Sequence, residues 1–209
     1  GSGSTSLYSV FNISYSAGTL STKAYDENGN LISESKLHGQ YKVTTPGTAS
    51  KLVMTRSITN DDVVADGSGL AYYEVDITDA NGNLDTAATN DITFTVSGNA
   101  TIAGVDSGDQ ATTDKFQQPS VWNNTQHTSA SINAMSGKAV VIVKANDNPG
   151  NVTVTASASS LTSASQTFTT VAPEETGGVE VADGEIASYT MVRDYTVKIG
   201  TVPSLNTDA

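Results

Sequence analysis

The chain has no cysteine, which excludes a disulfide scaffold. With only His38 and His127 as imidazoles, a zinc site would also lack its ordinary ligands. A chain of 209 residues without a thiol points to an exported bacterial protein, extracellular or held at the cell wall. Basic residues are scarce: 10 Lys and Arg stand against 22 Asp and Glu, for a net charge of −12. Such a surface offers nothing to a phosphate backbone or an anionic bilayer, so nucleic acid is excluded as a partner. The same charge favours a soluble monomer. No run of about 18 apolar residues exists that would insert into a membrane as a helix. Runs rich in Leu, Glu, Lys and Ala are missing as well, which predicts almost no helix. There is no Gly-x-Ser-x-Gly elbow and no Gly-rich phosphate loop ahead of a helix.

What remains is rich in Thr and Val, which favour strands, and in Gly, Asn, Asp and Ser, which favour turns. The expected fold is all-β. Its most informative local feature is a repeat: Asp26-Glu27-Asn28-Gly29-Asn30 returns as Asp79-Ala80-Asn81-Gly82-Asn83. Asn-Gly between apolar segments predicts a type I′ hairpin turn, with positive φ at both central residues. Residues 1–6, opening Gly1-Ser2-Gly3-Ser4, read as an expression scar. Residues 7–49 read as a small β unit with strands near 8–15, 20–25, 31–37 and 41–45. That is few for a free-standing sandwich. Residues 50–172 carry about seven short strands with regular turn signals, the pattern of an immunoglobulin-like sandwich. Within it, Ala71, Tyr73, Val75 and Ile77 alternate on one face, as do Ile92, Phe94 and Val96. Residues 138–145 form the most apolar strand, expected at the centre of a sheet. Residues 106–135 read as a polar loop. Residues 173–185 form an acidic linker. Residues 186–209 hold two more strands that start a further repeat or add to a sheet.

Three sets of residues invite a binding role. Asp79, Asn81 and Asn83 have the one-three-five oxygen spacing of a calcium loop. However, Leu84 and Asn90 stand where that loop needs Gly and Glu, and in the first copy Leu31 and Leu37 do. The sequence therefore favours a hairpin turn at both copies. Asp61, Asp62 and Asp66 offer hard oxygen ligands in one loop and are the calcium candidates, against the plainer reading of a solvated loop. The same alternatives hold for Asp106, Asp109 and Asp114. Sugar binding would need exposed aromatics with polar neighbours; Trp122 with Asn123 is the candidate, then Phe116, Tyr72 and Tyr73, against simple packing on the sandwich edge.

The stretch from Asp66 through Asn83, then Ile92 to Gly98, Ile102 to Gly108 and Gly137 to Lys144, resembles a known module. It is similar to the immunoglobulin-like domain that follows the catalytic core in bacterial β-galactosidases of glycoside hydrolase family 2. The resemblance covers about residues 50–172; residues 117–135 depart from the family block. Residues 7–49, with Ala17 to Tyr25, resemble the C-terminal half of the small β domain that precedes that module. The tail from Ile186 resembles a bacterial Ig-like repeat of secreted Gram-positive enzymes. The resemblance implies an accessory region with no catalytic residue and no required cofactor. Its partner would be the catalytic barrel of a β-galactosidase parent, whose two Glu residues need a (β/α)₈ scaffold of about 250 residues that is not here. A carbohydrate-binding module for galactose-containing glycans and a ligand-free cell-surface stalk are the alternatives.

Overall fold

The structure is a computed structural model that describes residues 10–36, 41–57, 62–118 and 127–174. By compactness the chain divides into Gly1–Pro173 and Glu174–Ala209. All described residues except Glu174 belong to the first unit. The expected tail strands, Asp61, Trp122 and Asn123 lie outside the described residues.

The fold is all-β, with no α-helix among the described residues. A two-stranded antiparallel sheet comes first, from β1 (Thr19–Ser21) and β2 (Lys42–Thr44). Eight strands follow: β3 (Lys51–Arg56), β4 (Leu70–Thr78), β5 (Asp91–Gly98), β6 (Ala100–Asp106), β7 (Ser129–Asn133), β8 (Lys138–Ala145), β9 (Gly150–Ser157) and β10 (Ala164–Thr170). They form two four-stranded sheets, ordered β3-β4-β8-β6 and β10-β9-β5-β7. Every strand pair within these sheets is antiparallel. This is an immunoglobulin-like sandwich.

The core follows from strand alternation. Ala71, Tyr73, Val75 and Ile77 of β4 are buried, as are Ile92, Phe94 and Val96 of β5. They meet Val141 and Val143 of β8 and Val152 and Val154 of β9 in one hydrophobic cluster. β8 lies between β4 and β6, the interior place its apolar run predicts. The Tyr73 and Phe168 rings tilt against each other at 6.0 Å, and the Arg56 guanidinium sits 5.4 Å over the Phe168 ring. The outward face of the β5-containing sheet explains the abundance of Thr and Ser. Thr93 meets Ser131 at 2.9 Å, Thr153 meets Thr167 at 3.1 Å and Thr155 meets Ser165 at 3.1 Å, all cross-strand hydroxyl pairs.

Two strand expectations fail in the small unit. Residues 10–17 form no strand, and Val10, Phe11, Ile13 and Tyr15 are exposed. Residues 31–36 make one isolated bridge at Leu31 and then a 3-10 turn at Glu34–Lys36. Apolar alternation makes a strand only where a neighbour accepts its ladder; among the described residues 10–17 have none, and 31–36 have only the short pairing of Leu31 and Ile32 with Tyr25 and Ala24. In the sandwich, β7 lies inside the expected polar loop. Ala130 and Ile132 alone face the core there, too short an alternation to stand out from Ser and Asn.

Both open sides of the sandwich are stitched. On one side β3 and its neighbours reach the β10 end of the other sheet. Leu52 N–H donates to Thr162 O (2.9 Å) and Thr162 N–H to Ser50 O (2.9 Å). Ala65 N–H donates to Val171 O (2.8 Å) and Val171 N–H to Val63 O (2.9 Å). On the other side the segment 114–118 bridges β6 and β7. Val105 N–H donates to Phe116 O (2.9 Å), and Gln117 Nε2 donates to Ala103 O (3.3 Å). Gln118 Oε1 accepts Ser131 N–H (2.9 Å) while its Nε2 donates to Ser131 O. One buried glutamine amide thus fills the edge of β7 as a neighbouring strand would.

Candidate functional site

The repeated loops are built alike. Asp79 N–H donates to Asn83 O (3.0 Å) and Gly82 N–H to Asp79 O (3.1 Å), with Ala80, Asn81 and Gly82 between the flanking residues. In the first copy the same bonds are 2.9 Å and 3.0 Å. Gly29 and Gly82 have φ of 82° and 87°, while Asn28 and Asn81 keep negative φ. The loops are therefore not type I′. They are three-residue hairpins in which a turn is followed by a glycine in the left-handed region. The cause is the aspartate. Asp79 Oδ1 accepts Asn81 N–H (2.9 Å) and Asn83 N–H (2.9 Å), and Oδ2 accepts Asn83 Nδ2 (2.9 Å). Asp26 makes the same three bonds, at 2.9, 2.8 and 3.0 Å. An Asx turn of this kind holds the loop backbone and leaves positive φ to glycine alone.

Here the calcium spacing has a plain structural use. The side chains of Asn83 and Asn30 turn toward their aspartates as donors, which is the reverse of what a cation needs. Asp79 has a fourth donor that Asp26 lacks, Gly47 N–H at 2.8 Å. Its side chain is only 3% exposed. The Asn83 side chain first, then the Gly47 and Asn83 amides, lower its pKa to about 2. Asp26 is also lowered, chiefly by the Asn30 side chain. An aspartate ordinarily titrates near 3.9, so the ionised form favours the fold. That contribution is complete above about pH 4 and is lost as pH falls toward the folded value. We expect Asp79→Ala to melt at a lower temperature at pH 7 and to show a flatter decline of Tm between about pH 4 and pH 2. Parallel Tm curves for the two proteins would reject this role.

The other acidic candidates also serve their loops. Asp66 Oδ1 accepts Ser68 N–H (2.8 Å), Ser68 Oγ–H (2.8 Å) and Gly69 N–H (2.9 Å). These bonds, the Ser68 amide first, lower its pKa. Asp106 accepts from Ser107 and Gly108, and Asp109 from Ala111. Asp114 Oδ2 accepts Asn133 Nδ2 (3.1 Å). Among the described residues no group of three or more His, Asp and Glu is placed to hold a metal. Glu74 accepts Ser57 Oγ–H at 3.2 Å.

Of the aromatic candidates, Tyr73 belongs to the core. Phe116 stands 55% exposed on the segment that bridges β6 and β7. It lines a shallow cleft of about 540 Å³ with Asp106, Lys115, Gln117 and Ile142. Lys115 also lines a second cleft of about 420 Å³, with Asp91, Asp114 and Asn133. Sequence reasoning missed Gln118 and the Gly47 contact of Asp79, because neither carries periodicity or a motif.

Comparison with known proteins places this arrangement. The chain is 29% identical over 157 residues to the β-galactosidase BoGH2A of Bacteroides ovatus, covering 74% of this chain and 16% of that protein. It is similar in fold to a glycosyl hydrolase family 2 member from Bacteroides cellulosilyticus (TM-score 0.61, 24% identity, 76% of this chain and 18% of that one). It is also similar to a β-glycosidase from Bacteroides vulgatus (TM-score 0.60, 22% identity, 75% and 18%). The chain thus spans less than a fifth of each relative. The profile described as glycoside hydrolase family 2 C-terminal domain 5 matches residues 54–167, the sandwich from β3 to β10, and the chain belongs to that family.

Proposed function

We propose that this chain is a non-catalytic accessory region of a secreted bacterial β-galactosidase, bracing the catalytic barrel and bordering its substrate cleft. The observation that carries this reading is the family match over the whole sandwich. It is supported by the carboxylates of Asp26, Asp66 and Asp79, which are committed to holding their own loops. Retaining glycoside hydrolysis needs two carboxyls about 5 Å apart on a scaffold that fixes them, whereas these three serve as acceptors within turns. The calcium candidates Asp62 and Asp66 carry no metal role in this proposal.

Two assays test it. The chain alone should not hydrolyse nitrophenyl β-galactoside, and turnover would overturn the non-catalytic reading. In the parent, deleting residues 50–172 should lower Tm and change the product pattern on oligosaccharides. An unchanged Tm and product pattern would reject bracing. The exposed Phe116 favours glycan binding as a second reading, since an aromatic face with polar neighbours suits a pyranose. Calorimetric binding of lactose that disappears in Phe116→Ala would move the assignment to it.

A further inference from the structure

The two repeated loops differ in what surrounds them. In the second copy β4, which leads into the loop, has β3 on one side and β8 on the other. Thr78 O accepts Ser50 N–H (2.9 Å) and Asp79 Oδ2 accepts Gly47 N–H (2.8 Å), both donors lying where the chain enters β3. The first copy repeats the loop itself. Tyr25 bridges Leu31 as Thr78 bridges Leu84, and Ile32 N–H donates to Ala24 O as Asp85 N–H does to Ile77 O.

Its neighbours are another matter. Thr45 N–H donates to Gly18 O and Thr22 N–H donates to Tyr41 O, so the backbone groups of Gly18, Leu20 and Thr22 face β2. At the same offset in β4, the residues in this phase face β8, as Ile77 N–H does in donating to Gly137 O. β2 therefore holds the place of β8. Alternation turns the N–H and C=O groups of Thr19, Ser21, Lys23 and Tyr25 to the opposite side, the place of β3. No described residue pairs with them there. Tyr25 O and Asp26 Oδ2 are the acceptors that Ser50 and Gly47 fill in the second copy.

We propose that residues 19–25 are a docking edge for one antiparallel strand supplied by the parent's own sequence upstream of this chain, with a residue leading into that strand donating its N–H to Asp26. This rests on reading the chain as part of a larger glycoside hydrolase. Three observations fix the occupant. In the second copy the docked strand is the one immediately earlier in sequence. The offset that carries Asp79 onto Asp26 carries Gly47 and Ser50 to positions ahead of residue 1. The curated relative extends far beyond this chain, which covers 16% of it. Leu20, Tyr25, Leu31 and Val43 are each more than half exposed on the small unit, apolar surface that an added strand and its neighbours would cover.

Amide hydrogen exchange tests the proposal. In this chain the amides of Ser21, Lys23 and Tyr25 should exchange near the unprotected rate. In a chain extended upstream through the preceding domain of its parent they should slow by about 100-fold or more, the scale of a stable ladder bond. Lys23→Pro separates docking from folding: its N–H faces away from β2, so Tm should hold in this chain and fall in the extended one. Equal exchange in the two proteins overturns the proposal. Protection of this chain that rises with concentration, with a dimer in sedimentation, also overturns it by assigning the edge to a second copy. Should the parent lack a glycosidase barrel, the functional reading fails while the exchange result still judges the edge.

Discussion

Gly98→Ala should destabilise the sandwich by about 4 kcal/mol, from backbone strain and overpacking together. Gly98 ends β5, and with Asn99 it carries the chain from one sheet into β6 of the other. Its φ is 93°, a region that side-chain-bearing residues rarely adopt. A Cβ there would lie 2.1 Å from Asn151 O and 3.3 Å from Val152 Cα, both backbone atoms of β9. That contact cannot be relieved by a rotamer; β5 or β9 must move, and both line the core. Gly82→Ala is the matched control. Its φ is 87°, yet nothing lies within 4 Å of the added carbon. It should cost only about 1–2 kcal/mol, the strain component alone. Urea unfolding measures both, through the midpoint at constant m. Equal losses at the two positions would show that close approach to β9 is not what requires glycine.

Phe94→Ala comes next, at about 4 kcal/mol. The ring is fully buried in β5, the strand paired to both β7 and β9. Its partners are held from both sides of the sheet, so the site cannot collapse around the deleted ring, and the cavity cost adds to the lost transfer energy. For a unit of this size Tm should fall by roughly 8–16 °C. Phe116→Ala, on the exposed ring, should shift Tm by no more than about 2 °C, since surface substitutions are near neutral. A small loss at Phe94 would mean that the two sheets can close over the gap.

Tyr73, Val75 and Ile77, and Ile92, Phe94 and Val96, were legible in the sequence because burial of one face imposes period two on a strand. The class, the sandwich and the central place of β8 follow from that. Residues 10–15 show the same alternation and form no strand, since pattern records a preference for pairing and not the presence of a neighbour. The Asp-x-Asn-Gly-Asn repeat was visible, but its turn type depended on which donors the carboxylate captures. Gln118 could not be read at all. Its role is a reciprocal pair of bonds to Ser131, between residues on separate segments, and one glutamine in a polar stretch carries no trace of that partner.

The bonds from Ser50 and Leu52 to Thr162, and from Val63 and Ala65 to Val171, set the order in which this unit can be made. They join its first strands to its last, so the entropy of closing nearly the entire loop must be met before they form. Such topologies fold in milliseconds to seconds, far slower than local hairpins such as those at Asp26 and Asp79. During synthesis, β3 and β4 emerge well before residues 162–171 and wait with that side open. At about 5–20 residues per second the delay lasts several seconds. The hairpin at Asp79, local and quick to close, can hold the end of β4 in place through that wait.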